Sequence, residues 1–307
     1  MPLRNRLSRQ RALCTGAAAL TILTAGLTTA AGLTTAAGLT TAAGLITAAA
    51  VPSQAETDPL TGPRTRLAGV WVGTEEVPKD LQILVLAGHA DSQRMAGSGT
   101  SGAAVDLQGA APMDHRMRDE LFWNQKIRDA VVNQGQRRGL KIRGYDPGQL
   151  SIARASDPRT NWSVARRQSA LGDYVLEIHF DAYRPHGYGS GVIPALNRKL
   201  NRVDESLANA FGRFPRLFRG GLGGPRRGLS ILEIGMLEGT LEARLRDPST
   251  REATIEAIAE RIVKALWRGV RPERAKPPKP QPMIKSGPDP ESPKPRTLPH
   301  PATAEQD

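Results

Sequence analysis

Residues 81–89 have the sequence Leu81-Gln-Ile-Leu-Val-Leu-Ala-Gly-His89. The apolar run is short and is bounded by Gly88, as expected of a buried strand that enters a tight turn. His89 then lies just beyond the carboxyl end of the strand, which is where open α/β sheets bind their ligands. This stretch predicts the first strand of a buried sheet, with an imidazole at its edge.

Outward from this strand, the chain alternates apolar strand patterns with helical ones. The alternation predicts an α/β fold, a three-layer sandwich whose mostly parallel or mixed central sheet is flanked by helices. The glycine-rich residues 97–109 and 219–228 are predicted to be loops. Further strands are predicted at 140–144, 174–180 and 229–234, and helices at 115–138, 161–171, 203–211 and from a Ser249-x-x-Glu252 capping box onwards.

His179 lies inside the most apolar of the predicted strands, residues 174–180. A strand this apolar seldom contains an imidazole without a partner. The period of two places Glu177, His179 and Asp181 on one face of the strand. His179 is therefore either a metal ligand oriented by a neighbouring carboxylate or a core histidine hydrogen-bonded to one.

Glu233 is a carboxylate within the apolar run of residues 229–234. Its burial without a partner would be costly, which favours a role as a base, a ligand or an ion-pair partner. A salt bridge to Arg226 or Arg227 is the alternative, and Glu238 is a nearby competitor for any catalytic role.

His89, Glu120 and His179 together provide two imidazoles and a carboxylate, with a further carboxylate nearby. These are the components of a hydrolytic zinc site. Taken alone, His89 is typical of an ordinary loop histidine. Glu120 alone is typical of the first turn of a helix, where an acidic side chain faces the positive end of the dipole.

The first 55 residues have the composition of an export signal. They contain four arginines and no acidic residue, then a long Ala/Thr/Leu/Gly stretch, and they end in Ser53-Gln54-Ala55. This layout predicts a secretory signal peptide, and an uncleaved N-terminal membrane anchor is the alternative. The hexamer Ala-Gly-Leu-Thr-Thr-Ala repeats from Ala25 within this stretch. We expect an exported protein of the periplasm or cell envelope.

The other segments follow from composition. Residues 271–307 contain 11 of the 24 prolines and predict a disordered tail. Residues 56–78 are predicted to be a linker, and 79–270 have the size of one domain. The only cysteine is Cys14, so the domain has to rely on its apolar core.

The net charge of +12 favours an anionic partner. Only 4% of the residues are aromatic, and the sequence contains no aromatic-plus-basic motif typical of nucleic-acid binding. We therefore expect an anionic envelope polymer as the partner, and not nucleic acid. Contact with a membrane is expected only through an uncleaved N-terminal segment, and the protein is expected to be a monomer. Solubility alone is the alternative explanation of the charge.

The order and setting of four motifs resemble a known family. They are Ile83-Leu-Val-Leu-Ala-Gly-His89, Glu120 on a helix, Glu177-Ile-His179-Phe-Asp181, and Leu232-Glu233-Ile-Gly235. Together they resemble the zinc-dependent N-acetylmuramoyl-L-alanine amidases. These peptidoglycan amidases cut between the lactyl group of muramic acid and the L-alanine of the stem peptide. The resemblance covers about residues 81–268.

The resemblance implies a phosphorylase/hydrolase-like fold, peptidoglycan as the substrate and Zn2+ as the cofactor. It implies that His89, Glu120 and His179 are the zinc ligands and that Glu233 is the catalytic base. Another zinc amidohydrolase or carboxypeptidase of the same fold, or a catalytically silent envelope-binding protein, are the alternatives.

The chain departs from the family pattern beside the ligands. Ala90-Asp91 stands where the family has Gly-Gly, Asp181 replaces an asparagine, and Glu177 replaces a small residue. These changes add negative charge around the expected metal.

Overall fold

The computed structural model describes residues 57–64, 71–214 and 223–271. The predicted leader at 1–55 and all but the first residue of the predicted tail lie outside the described residues. Among the residues that are described, none of the helices has the length and apolar character that crossing a membrane requires.

Five strands form one mixed sheet. They are β3 (Ile83–Ala87), β4 (Ile142–Tyr145), β5 (Tyr174–Asp181), β6 (Gly191–Ile193) and β7 (Leu229–Met236). Their order in the sheet is β4-β3-β5-β7-β6. The pairs β3–β4, β3–β5 and β5–β7 are parallel, and β6 is antiparallel to β7. The mixed sheet confirms the predicted α/β class.

Helices cover both faces of the sheet. Alternate β5 side chains point to opposite faces, so Leu176 and Ile178 join the larger core while Val175 joins the smaller one. The helices are α1 (Ala103–Asp106), α2 (Asp119–Arg137), α3 (Asn161–Ala170), α4 (Arg202–Phe211), α5 (Gly239–Arg246) and α6 (Arg251–Val270). The larger core also contains side chains of α2, α4, α5 and α6, and the smaller one contains Val164 and Ala165 of α3.

The period of two along β5 and β7 places the candidate residues on the α3 side of the sheet. Glu177 and His179 follow Val175, and Glu233 follows Ile231. Among the described residues, α3 is the only helix with side chains in this smaller core.

Part of the predicted linker at 56–78 is packed on the domain. Strands β1 (Thr57–Asp58) and β2 (Gly62–Pro63) form a short antiparallel hairpin. Asp58 Oδ2 lies 2.8 Å from Arg261 Nη1, and Arg244 Nη2 donates to the carbonyl oxygens of Pro59 and Leu60.

Three further elements differ from the prediction. Helix α1 lies within the predicted loop 97–109, and β6 and α5 were not predicted. Helix α5 begins at Gly239, which has a φ of 58°. It was not predicted because a glycine in a sequence is more typical of the end of a helix than of its start. The predicted capping box at Ser249 is wrong, because α6 begins after Thr250 without a side-chain cap.

Candidate active site

His89 lies in the turn that follows β3. Its φ of 62° is in the left-handed region, and it is the only non-glycine residue with a positive φ in the described part of the chain. The Gly88 N–H donates to Ile178 O at 2.8 Å, and the Gly88 carbonyl accepts from Asn124 Nδ2 at 3.2 Å. A Cβ atom on Gly88 would overlap the ring of His179. The glycine therefore lets the two histidines approach each other.

The His89 ring is held by a pair of serines. Its Nδ1 lies 3.1 Å from Ser98 Oγ, which contacts Ser92 Oγ at 2.6 Å. This leaves Nε2 directed at Glu120, whose Oε1 is 3.4 Å away. The ring centroid lies 4.8 Å from that of His179, in an edge-on arrangement.

Glu120 occupies the first turn of α2 and is 3% exposed. Its Oε2 accepts the Thr100 N–H at 2.8 Å, and the Glu120 N–H donates to Thr100 O at 3.2 Å. Burial raises the pKa of Glu120, but the charges and hydrogen bonds of His89 and His179 outweigh burial and lower that pKa well below its ordinary value. Glu120 is therefore an anionic group that the loop before the helix holds in place.

His179, on β5, lies between the carboxylates of Glu120 and Glu177. Its Nδ1 is 3.1 Å from Glu120 Oε1, and its Nε2 is 3.2 Å from Glu177 Oε2, without the geometry of a hydrogen bond. Burial disfavours the charged ring, but the hydrogen bond with Glu120 and the charges of Glu177 and Glu233 raise the pKa of His179 well above its ordinary value. The pocket around this ring thus favours a cation.

Glu233 is the register partner of His179 on the adjacent strand β7. Its Oε2 is buried and has no hydrogen-bond partner among the described residues. Burial raises the pKa of Glu233 to about 8, with a further increase from Asp181, although His179 lowers it. An unpartnered carboxylate of this kind is typical of a functional group rather than a structural ion pair.

Arg227, one alternative partner of Glu233, and Glu238, its competitor, are engaged elsewhere. Arg227 donates to Gly223 O at 2.9 Å, and its guanidinium lies 4.4 Å from the centroid of the Trp162 ring. Glu238 forms a 3.1 Å ion pair with Arg184 and accepts its backbone N–H. Glu238 therefore does not compete for the position at the sheet.

Asp181 shapes the loop between β5 and β6. Its carboxylate accepts backbone N–H groups from Ala182, Tyr188 and Gly189. Burial raises the pKa of Asp181. His186 of the same loop is exposed.

A cavity of about 170 Å³ opens beside the two histidines. Its lining combines polar groups of the candidate site with apolar side chains. The polar lining residues include His89, Asp91, Glu177 and His179, and the apolar ones include Met95, Ile152, Ala155, Trp162 and Ile231.

The structure brings together all three residues that the sequence suggested as metal ligands. One ligand atom from each of His89, Glu120 and His179 lies within 4.8 Å of the others. In the described part of the chain, no other group of three or more His, Cys, Asp or Glu side chains is close enough to hold a metal. The donor set of two imidazoles and one carboxylate fits a zinc ion.

Sequence reasoning missed the residues that support the ligands. Ser98 and Thr100 lie in a predicted loop, and Asn161 begins a helix, so only their contacts show their position beside the site. Their residue types and spacing gave no signal of this, since serine, threonine and asparagine are common in loops and helix starts.

No protein-family model and no curated protein matches this chain. Several solved structures are similar to it. The catalytic domain of the CD27L endolysin, which targets Clostridia difficile, is 16% identical; the match covers 61% of this chain and 97% of that one, with a TM-score of 0.41. The catalytic domain of CwlV, from Bacillus (Paenibacillus) polymyxa var. colistinus, is 15% identical over 61% and 96% of the two chains, with a TM-score of 0.39. Ami1 from Mycobacterium abscessus is 18% identical over 60% and 98%, with a TM-score of 0.40. The last two of these structures are N-acetylmuramoyl-L-alanine amidases, the family that the motifs of this chain resemble.

Proposed function

We propose that this protein is an exported, zinc-dependent N-acetylmuramoyl-L-alanine amidase. It hydrolyses the amide bond between N-acetylmuramic acid and L-alanine in peptidoglycan, as a monomer in the periplasm or cell envelope. The observation that carries the proposal is the His89–Glu120–His179 cluster, with Glu233 in register beside His179 and its Oε2 buried without a hydrogen-bond partner.

The proposed zinc ligands are His89, Glu120 and His179. Two imidazoles and one carboxylate form a common ligand set of catalytic zinc, in which the protein leaves one coordination position open. When bound, the ion supplies Lewis acidity that activates water and polarises the carbonyl group of the scissile amide. Ser98 contacts Nδ1 of His89, and the Thr100 N–H donates to Oε2 of Glu120. These contacts keep Nε2 of His89 and Oε1 of Glu120 directed at one another.

Glu233 is proposed to move the proton. A carboxyl group whose pKa lies near the working pH can both accept and donate a proton, and burial raises the pKa of Glu233 to about 8. As water attacks the amide carbonyl, Glu233 takes its proton. It then delivers that proton to the L-alanine nitrogen as the carbon–nitrogen bond breaks. The products are a free muramoyl carboxylate and a stem peptide with a new amino terminus.

The test uses the full chain with zinc and purified peptidoglycan. We expect release of intact stem peptides that begin with L-alanine, identified by mass spectrometry. Glu233→Gln should lower the rate by about 10²–10⁴-fold while zinc remains bound. The control is Glu238→Gln, a carboxylate that pairs with Arg184 at the surface. Activity in Glu233→Gln equal to that of the wild type would exclude this residue as the base.

The products also separate the alternative functions. Shortened stem peptides that remain attached to the glycan would indicate a carboxypeptidase of the same fold. Stoichiometric zinc without any turnover would indicate a catalytically silent protein that binds the envelope.

A further inference from the structure

We propose that Glu177 is a positioning residue that holds the imidazole of His179 for zinc binding, and that Asn161 in turn holds Glu177. This inference rests on the proposed function and deepens it, because it assigns a role to a carboxylate that amide hydrolysis does not use. Glu177 is 4% exposed and lies two residues before His179, on the same face of β5.

The first step concerns the two nitrogens of the His179 ring. Nδ1 faces Glu120 Oε1 at 3.1 Å, and Nε2 faces Glu177 Oε2 at 3.2 Å. An imidazole that binds a metal through one nitrogen is commonly oriented by a carboxylate or carbonyl at the other. Since Glu120 is itself a proposed ligand, Glu177 is the group available to orient the opposite side of the ring.

The second step concerns what fixes Glu177. Asn161 Nδ2 donates to Glu177 Oε1 at 2.9 Å and to Ala87 O at 2.8 Å. Both partners are acceptors, so the amide nitrogen has to face them. Asn161 is 2% exposed, which makes each of these hydrogen bonds costly to break. The first residue of α3 thus connects β5 to the last residue of β3.

The third step brings in Asp91, whose Oδ2 accepts the Asn161 backbone N–H at 2.8 Å. That N–H belongs to the first turn of α3, where it has no partner within the helix. Asp91 and Glu177 are two of the positions at which the chain departs from the amidase pattern. They share Asn161 as a partner, so they form one supporting unit beside the ligands rather than two unrelated changes.

The experiment measures the zinc dissociation constant of the full chain by competition with a chromophoric chelator. The proteins are the wild type, Glu177→Gln, Asn161→Ala, the double variant, and Asp173→Asn as a control. Asp173 pairs with Arg143 at 2.8 Å just before β5, at the end of the strand away from His179. The thermal midpoint of each metal-free protein reports whether the fold is intact.

We expect Glu177→Gln to weaken zinc binding by about 10–100-fold, and Asn161→Ala to weaken it by a smaller factor. Because Asn161 acts through Glu177, the double variant should bind zinc no more weakly than Glu177→Gln alone. Asp173→Asn should bind zinc like the wild type. The visible absorption of the Co2+-loaded protein should change in Glu177→Gln, as expected if the His179 ring moves.

Unchanged zinc affinity in Glu177→Gln overturns the proposal, and additive losses in the double variant overturn the role of Asn161. If Glu177→Gln does not fold, the zinc affinity of Asn161→Ala is the test. Unchanged affinity overturns the proposal that Asn161 and Glu177 hold the His179 ring, and weaker binding supports it. A wild type that binds zinc but releases no stem peptide refutes the proposed function alone. A wild type that binds no zinc refutes both.

Discussion

The backbone of Gly88 lies directly against the imidazole ring of His179, with no room for a side chain between them. Two strands and two candidate ligands meet at this contact, because His89 follows Gly88 and the Gly88 N–H is bonded to β5. The packing of these two candidate ligands therefore requires that residue 88 has no side chain.

Gly88→Ala is expected to displace the His179 ring. We expect a loss of about 1–3 kcal/mol in the free energy of unfolding, since the added methyl group overpacks a buried contact. Zinc affinity should fall at least about 10-fold, measured by chelator competition. Gly144→Ala is the matched control, because its added Cβ would meet only ordinary contacts, the nearest at 3.5 Å. Equal zinc affinity in the two variants would contradict the expectation.

Zinc should stabilise the wild type but not His179→Ala. A ligand that binds only the folded state at 100 times its dissociation constant adds about 2.7 kcal/mol to the free energy of unfolding. Thermal unfolding with and without zinc measures this difference. His115→Ala, which removes an exposed histidine outside the cluster, should respond to zinc like the wild type. A zinc-dependent increase in the unfolding temperature of His179→Ala would remove that residue from the ligand set.

The stability of the metal-free protein should depend on Glu233 in one pH window. Burial raises the folded-state pKa of Glu233 from 4.5 to about 8, so within this window the folded protein holds the proton more tightly than the unfolded chain. Stability is therefore lost as pH rises from about 4.5 to 8, by up to about 5 kcal/mol.

Glu233→Gln removes the group that titrates, so its unfolding free energy should fall less over the same window. Chemical denaturation at several pH values measures both curves. Parallel curves for the wild type and Glu233→Gln would show that this carboxyl group does not cause the change.

The hairpin of β1 and β2 should contribute to the stability of the domain. A chain that begins at residue 65 loses the ion pair between Asp58 and Arg261 and the hydrogen bonds from Arg244, while it keeps residues 71–78. We expect it to unfold about 1–3 kcal/mol more easily than a chain that begins at residue 56, since each such bond contributes about 1 kcal/mol. Urea unfolding compares the two, and equal midpoints would support a simple linker.

The long periodic elements were predictable from sequence. The apolar run of β3, the strands β5 and β7, and the helices α2, α3 and α4 are found within a few residues of their predicted bounds. Strong apolar periodicity specifies such elements locally. His179 and Glu233 were found for a related reason, since a histidine or glutamate in an apolar strand contrasts with its neighbours. His89 and Glu120 were found only through the order of the motifs along the chain.

The missed elements depend on contacts that are distant in sequence. Strand β6 has three residues, and it is defined by pairing with β7 some forty positions later. Asn161 has the composition of an ordinary helix start, and only the folded chain places it between Ala87 and Glu177. The observed capping box is at Asn201 and Asp204 of α4. Ser249 instead donates its backbone N–H and its hydroxyl to Asp247 Oδ1, so it does not cap α6.

The reversed direction of β6 determines which segment of the chain lies beside the candidate ligands. Since β6 runs against β7, with Gly191 opposite Glu233, the segment 182–190 begins and ends at the same edge of the sheet as the candidate ligands. Asp181 fixes that segment by binding its backbone rather than its side chains. The exposed side chains of this segment can therefore vary while the candidate ligands and the groups that support them keep their positions.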